Sequence, residues 1–302
     1  MNQIRIYCIV VTYNGIQWID KCLDSLQKSS VKNNIIVIDN HSTDDTPERI
    51  QSNYPDIEFI KASTNLGFGK GNNIGLKKAV ENNADYVFLL NQDAWLETTT
   101  LQTLIEAQKS NPAYGVLSPV QMNGKGNAIE RKFEEYAGPV NTPGFMSDIY
   151  TDQLKQVYTT RFVNAAAWLI SKDCLKKVGL FNPIFPHYGE DEDFLNRVDY
   201  HGIKVGIVPA AIAFHDRDFS WEKIKGNFKR LYIAELIKLV NINITFRSAF
   251  ILFLKTNINS ATTALLFRKF ETFKFKIRVI FKVLFIIPQI IRSRKFSRSK
   301  SL

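Results

Sequence analysis

The chain has 302 residues, of which 45% are hydrophobic and 23% charged, and a net charge of +10. This suits one large domain, or one domain with an appendage, and excludes wholesale disorder. No run of about 18 apolar residues occurs, so no transmembrane helix is expected. The N-terminus, from Met1 to Arg5, leads straight into a strand without the apolar core of a signal peptide. The three cysteines, Cys8, Cys22 and Cys174, are far apart and lack metal spacing. They read as reduced thiols in a cytosolic setting.

Ile4 to Val11 reads as a buried strand and Trp18 to Gln27 as a helix. Asn34 to Ile38 is a second strand, and Thr43 to Glu48, with Pro47 in the first turn, opens a second helix. Glu58 to Ala62 is a third strand, Gly71 to Asn82 a helix, and Tyr86 to Leu90 a fourth strand. This alternation predicts an α/β fold with a mostly parallel sheet and helices on both faces. Residues 111–160 look less regular, and apolar patterning resumes at Val163 to Ser171. Lys204 to Val208 reads as a short strand ended by Pro209, and the chain beyond about 220 as helical, apolar and basic.

Ligands of such sheets bind beyond the carboxyl ends of the strands. Tyr13 and Asn14 follow the first strand, Asp39 ends the second, and Asn91-Gln92-Asp93 ends the fourth. Tyr13 offers a stacking face, and Asp39 an acceptor for the ring N–H of a pyrimidine base. No Gly-x-Gly-x-x-Gly follows the first strand and no Walker P-loop occurs, which disfavours hydride transfer and ATP hydrolysis. The glycine-dense run from Asn65 to Gly75, which includes Asn73, fits one wall of a nucleotide pocket. Asp93 is placed to hold a divalent cation bridging two phosphates, with His215 as an added imidazole. Glu190-Asp191-Glu192-Asp193 puts four carboxylates in a row before a helix from Phe194 to Tyr200. Like charge is expected to raise the pKa of Asp191 and leave it ready as a base, with Asp193 as a helix cap.

These segments together resemble the family 2 glycosyltransferases of the GT-A fold, over roughly residues 4–217. The matching motifs are Val10-Val11-Thr12-Tyr13-Asn14, Val37-Ile38-Asp39-Asn40, Asn65 to Gly75, Leu90-Asn91-Gln92-Asp93, and Glu190-Asp191-x-Asp193-Phe194. The branch resembled is that of bacterial rhamnosyl- and galactofuranosyltransferases of surface polysaccharides. The resemblance implies inverting transfer from a UDP- or dTDP-sugar to a lipid-linked or cell-surface saccharide. Asp39 would bind the base, Asp93 and His215 a Mn²⁺ or Mg²⁺ ion, and Asp191 would be the general base. Trp168 and Glu190 would lie at the sugar or acceptor site. One departure is Asn91, which stands where the family has the first acid of its Asp-x-Asp metal motif.

The resemblance divides the chain into a catalytic domain at 1–220, with a nucleotide-sugar half to about 110, and a helical region at 221–302. The latter carries 18 Lys+Arg against 3 acids. Lys274, Arg278 and Lys282 form one helical stripe beside Phe273, Ile277, Ile280 and Phe281, Pro288 breaks the helix, and Arg292, Arg294, Lys295, Arg298 and Lys300 follow. Basic and apolar residues interleaved in this way favour an anionic membrane surface over nucleic acid. The expected location is therefore cytoplasmic, peripheral on the inner face of the cell membrane. A helix packed on the catalytic domain or on a second copy of the chain is the competing reading of the tail. A catalytically inactive nucleotide-sugar-binding scaffold is the competing reading of the whole.

Overall fold

The computed structural model describes residues 4–185, 187–217 and 228–299. The expected boundary near 220 and Lys300 lie outside them. Strand β1 (Ile6–Thr12), helix α1 (Ile19–Gln27), β2 (Asn34–Asp39), α2 (Thr46–Asn53), β3 (Glu58–Lys61), α3 (Phe68–Glu81) and β4 (Tyr86–Asn91) follow in the expected order. Next come β5 (Ala94–Leu96), α4 (Thr100–Ser110), β6 (Tyr114–Asn123), α5 (Arg131–Ala137), α6 (Phe145–Tyr150), β7 (Tyr158–Thr159), β8 (Ala167–Ser171) and α7 (Lys172–Val178). Helix α8 (Glu190–Tyr200) and β9 (Lys204–His215) complete the sheet-bearing part. The three cysteines are free and buried.

All strands join one sheet in the order β3-β2-β1-β4-β8-β6-β9-β5, with β7 on β9. Strands β3, β2, β1 and β4 are parallel, β8 runs antiparallel to β4 and β6, and β6 pairs parallel with β9. Successive residues of β1 are buried on opposite faces. Ile9 packs with Leu76, Phe133 and Phe194 on one side, and Cys8 and Val10 with Leu23 and Leu104 on the other. A strand covered on both faces reads as an unbroken apolar run, which is why β1, β2 and β4 stand out in the sequence.

Two elements differ from expectation. Strand β6 lies in the stretch read as irregular, because Gly115, Ser118 and Pro119 interrupt its apolar pattern although it is buried along most of its length. Strand β9 does not end at Pro209 but runs on to His215. Its pairing jumps from Val208 with Pro119 to Ile212 with Val120, so Pro209 to Ala211 bulge out and the missing proline N–H breaks no ladder bond.

Glycines 71 and 75 serve helix-to-sheet contact. A Cβ on Gly75 would lie 2.7 Å from Ile9 Cγ2, and one on Gly71 2.9 Å from Val11 Cγ1. Gly75→Ala should therefore push α3 off β1 and cost about 1–3 kcal/mol of stability, read as a lower urea midpoint.

Helices α9 (Phe228–Val240), α10 (Phe246–Leu266), α11 (Phe270–Phe285) and α12 (Ile287–Arg298) follow the sheet. They build a third core around Leu236, Leu239, Val240, Phe253, Val283 and Ile290, into which Phe185 of the sheet-bearing part inserts. Helices α10 and α11 form a hairpin turned through Phe267, Arg268 and Lys269. Pro288 does end α11, but it also sits in the first turn of α12, where its lost N–H costs nothing.

The basic tail is partly turned inward. Arg278 lies over the Phe228 ring at 4.7 Å, and Lys282 over Tyr232 at 3.9 Å. Arg294 is buried and donates to the carbonyls of Leu239, Asn241 and Ile244. It caps the end of α9, so it is not part of a free polybasic segment.

Candidate active site

A cleft of about 1050 Å³ opens where the carboxyl ends of β1, β4 and β9 meet the N-terminus of α8. Tyr13, Asn91, Gln92, Asp93, Glu190, Asp191 and His215 all line it. Seven positions separated by up to 202 residues thus meet at one cleft, because the strand ends and the first turn of α8 come together there.

Gln92 fixes the Tyr13 loop: its Oε1 accepts from Thr12 Oγ1 at 2.7 Å and Tyr13 N at 2.8 Å, and its Nε2 donates to Tyr13 O. The ring of Tyr13 is left exposed at the cleft. Asp93 Oδ1 lies 3.4 Å from His215 Nε2, because Ala94 pairs with His215 across β5 and β9. Asp93 is partly exposed, whereas His215 is buried and its Nδ1 has no hydrogen-bond partner among the described residues. The buried Asn91 Oδ1 is also unpartnered.

Asp191 sits in the first turn of α8, after two consecutive left-handed residues, Tyr188 (φ 71°) and Gly189 (φ 90°). That turn presents Glu190, Asp191 and Glu192 to the cleft. A Cβ on Gly189 would lie 2.8 Å from Ile233 Cγ2, so α9 packs directly on the turn. The four carboxylates do not crowd together. Asp191 Oδ1 accepts from Glu192 N, Glu192 is exposed, and Asp193 points inward to Arg197 Nε at 2.9 Å. Asp193 therefore pairs with Arg197 and is not the side-chain cap of α8. Burial, not like charge, is the main force raising the Asp191 pKa, against hydrogen bonds from Glu192 and Ala165 N–H groups and the charge of Arg217.

Glu190 is 4% exposed, its Oε2 has no partner among the described residues, and burial pushes its pKa up to about 7. Its folded pKa lies above its unfolded value, so the folded state holds the proton more tightly. Stability is then full below about pH 4.5 and falls as pH rises toward 7, by about 3 kcal/mol for this group. Burial raises Asp191 in the same direction. Thermal unfolding should therefore shift upward as pH falls from 7.5 to about 5.5, and Glu190→Gln should flatten that slope.

Four expected site residues lie outside the cleft lining. Trp168 is fully buried, paired across from Leu89 and packed in one aromatic cluster with Phe181 and Phe194, so it is core and not cleft wall. Asn73 has both ends of its amide on the Phe181 backbone, tying α3 to the loop after α7. Asn14 holds the loop after β2 by accepting from Thr43 N, and its own N–H donates to Ser42 Oγ. Asp39 is fully buried and accepts from Ser42 N; its neighbour Asn40 lines the cleft instead, held by Asn65 and Leu66.

The glycine-dense run read as one wall of the pocket lines the cleft through Asn65, Gly67 and Phe68. The structure adds residues that no local motif announced. Lys132 and Tyr136 of α5 and Arg217 after β9 face the acidic turn. Helix α9 closes the other side with Lys229, Arg230, Ile233, Ala234 and Ile237.

Among the described residues, no group of three or more His, Cys, Asp and Glu side chains gathers to hold a metal ion. Asp93 and His215 form a two-donor edge. That donor set suits a Mn²⁺ or Mg²⁺ ion whose remaining ligands are diphosphate oxygens and water.

A parallel nucleotide-type sheet joined to a mixed half, with an acidic turn over the strand ends, is the arrangement of a nucleotide-sugar-handling α/β protein. The Glycosyl transferase family 2 profile matches residues 7–179, and the chain belongs to that family. It is 22% identical over 233 residues to the N-acetylglucosaminyl-diphospho-decaprenol L-rhamnosyltransferase of Mycobacterium tuberculosis, covering 70% of this chain and 76% of that one. It is also 22% identical over 197 residues to the low-salt glycan biosynthesis hexosyltransferase Agl10 of Haloferax volcanii. There the match covers 64% of this chain but spans 62% of the relative's length. Among solved structures, GalNAc-T7 with UDP, GalNAc and Mn²⁺ superposes with a TM-score of 0.60 at 16% identity, over 78% of this chain and 48% of that one. This likeness shows a shared GT-A fold.

Proposed function

We propose that this chain transfers a sugar, with inversion, from a UDP- or dTDP-sugar to a hydroxyl of a lipid-linked saccharide. One observation carries the reading: Asp191 and the Asp93–His215 pair face the same cleft from opposite elements. Tyr13 stacks on the base, beside Asn40 and Asn65. A divalent cation held by Asp93 and His215 would offset charge on the leaving diphosphate. Asp191 takes the proton of the acceptor hydroxyl as that oxygen bonds to the anomeric carbon. The bond from that carbon to the diphosphate oxygen breaks, and the diphosphate leaves with the electron pair. The raised pKa of Asp191 makes it a stronger base, and activity should rise with pH through that pKa. Glu190, partly protonated near neutral pH, can donate to a sugar oxygen. The diphospho-decaprenol in the mycobacterial relative's name supports a lipid-linked acceptor.

The test is binding and slow hydrolysis of UDP-, dTDP- and GDP-sugars with Mn²⁺, Mg²⁺ or chelator. One donor should bind with metal and be hydrolysed, and Asp93→Asn should weaken that binding. Binding with neither hydrolysis nor transfer would favour the scaffold reading. No binding of any donor would sink both.

A further inference from the structure

We propose that the α10–α11 hairpin is a docking surface for an anionic lipid bilayer, centred on its turn. Leu265, Leu266, Phe267 and Phe270 crowd this turn and are 48%, 77%, 70% and 54% exposed. Arg268 and Lys269 sit between them and are also exposed. The apolar exposure continues along both helices. Ile251, Ile258 and Leu265 recur every seven residues on α10, and Phe281 and Phe285 stand on the same stripe of α11 as Phe270.

Charge selects the partner. Between residues 246 and 299, Glu271 is the single acid against twelve lysines and arginines. A second copy meeting this turn across a two-fold axis would set Arg268 and Lys269 against themselves. An anionic headgroup layer accepts those cations while the leucine and phenylalanine side chains enter the acyl boundary. No described helix is long and apolar enough to cross a membrane, so the hairpin would lie in the interface. This relocates the contact that the sequence suggests. Arg278, Lys282 and Arg294 face α9, and the turn provides the cations in their place.

The test is co-sedimentation of the full chain with vesicles of phosphatidylcholine, alone or mixed with phosphatidylglycerol, at low and high salt. Binding should need phosphatidylglycerol and weaken with salt. The double variants Leu266→Asp with Phe267→Asp, and Arg268→Glu with Lys269→Glu, should each lose about tenfold or more in vesicle affinity. Their melting temperature and donor binding should match the parent, since none of these residues lines the cleft. No binding to anionic vesicles, or equal binding by both variants, overturns the proposal. So does a dimer dispersed by the Leu266/Phe267 variant without vesicle binding, which would assign the surface to a second copy. Vesicle binding requires no catalysis, so its failure would leave the transferase reading untouched.

Discussion

Replacing Asp191 by Asn is expected to lower kcat by about 10²–10⁴-fold while donor affinity stays near the parent value and thermal stability does not fall. The amide keeps the shape and can still accept from Glu192 N, but it cannot take a proton. Among the described residues the Asp191 carboxyl makes no ion pair, so its replacement breaks no charge partnership of the fold. Steady-state transfer, donor titration and a melting curve on one preparation separate these quantities. An Asp191→Asn enzyme with parental kcat would remove the base from this residue. Glu190, which also lines the cleft, would then be the next carboxylate to test.

Two residues along, the opposite phenotype is expected. Asp193→Ala should destabilise the chain by about 3–5 kcal/mol, because it leaves the Arg197 guanidinium buried without its counter-ion. Arg197 is 1% exposed and its Nη2 already lacks a partner among the described residues, so the Val178 carbonyl on Nη1 is what the guanidinium would keep. Asn182, which donates to Asp193 at 3.4 Å, loses an acceptor as well. Removing both charges, as in Asp193→Ala with Arg197→Met, should cost less than Asp193→Ala alone. Denaturant midpoints of the three variants decide this. Equal losses for the single and double variants would mean that packing, not the uncompensated charge, sets the cost.

These adjacent carboxylates also show where sequence reading stops. The strand ends and the acidic run were legible, because an apolar run followed by a polar residue marks both the strand and its carboxyl end. Which of four neighbouring acids faces the cleft is set by helical geometry. Asp191 and Asp193 sit about 200° apart around α8, one toward the opening and one toward Arg197. Like-charge crowding was therefore not the main cause: burial comes first at Glu190, Asp191 and Glu192, and the charge of Asp191 adds a smaller push at Glu190 and Glu192. Trp168 was ambiguous for a related reason, since an aromatic residue on an inner strand carries no mark of which face it joins. The α9 wall had no local signal at all. Its residues meet the cleft only because α9 packs on the left-handed turn at Gly189.

The last turns of the chain reach back to the acidic motif. Ser293 Oγ accepts from Asn182 Nδ2 at 2.7 Å, and the same Nδ2 lies 3.4 Å from Asp193. Arg294 of the same helix closes the carboxyl end of α9, whose Ile233 and Ile237 rest on Gly189. On the ribosome, the whole sheet is therefore made well before the support of α8 is complete. A nascent chain stopped at residue 280 has every strand, yet Asn182 lacks Ser293 and α9 lacks its cap. The support of the acidic turn is thus completed by a residue 111 positions downstream of Asn182. A frameshift or cleavage ahead of Ser293, far from the cleft in sequence, would remove that support while leaving the strands intact.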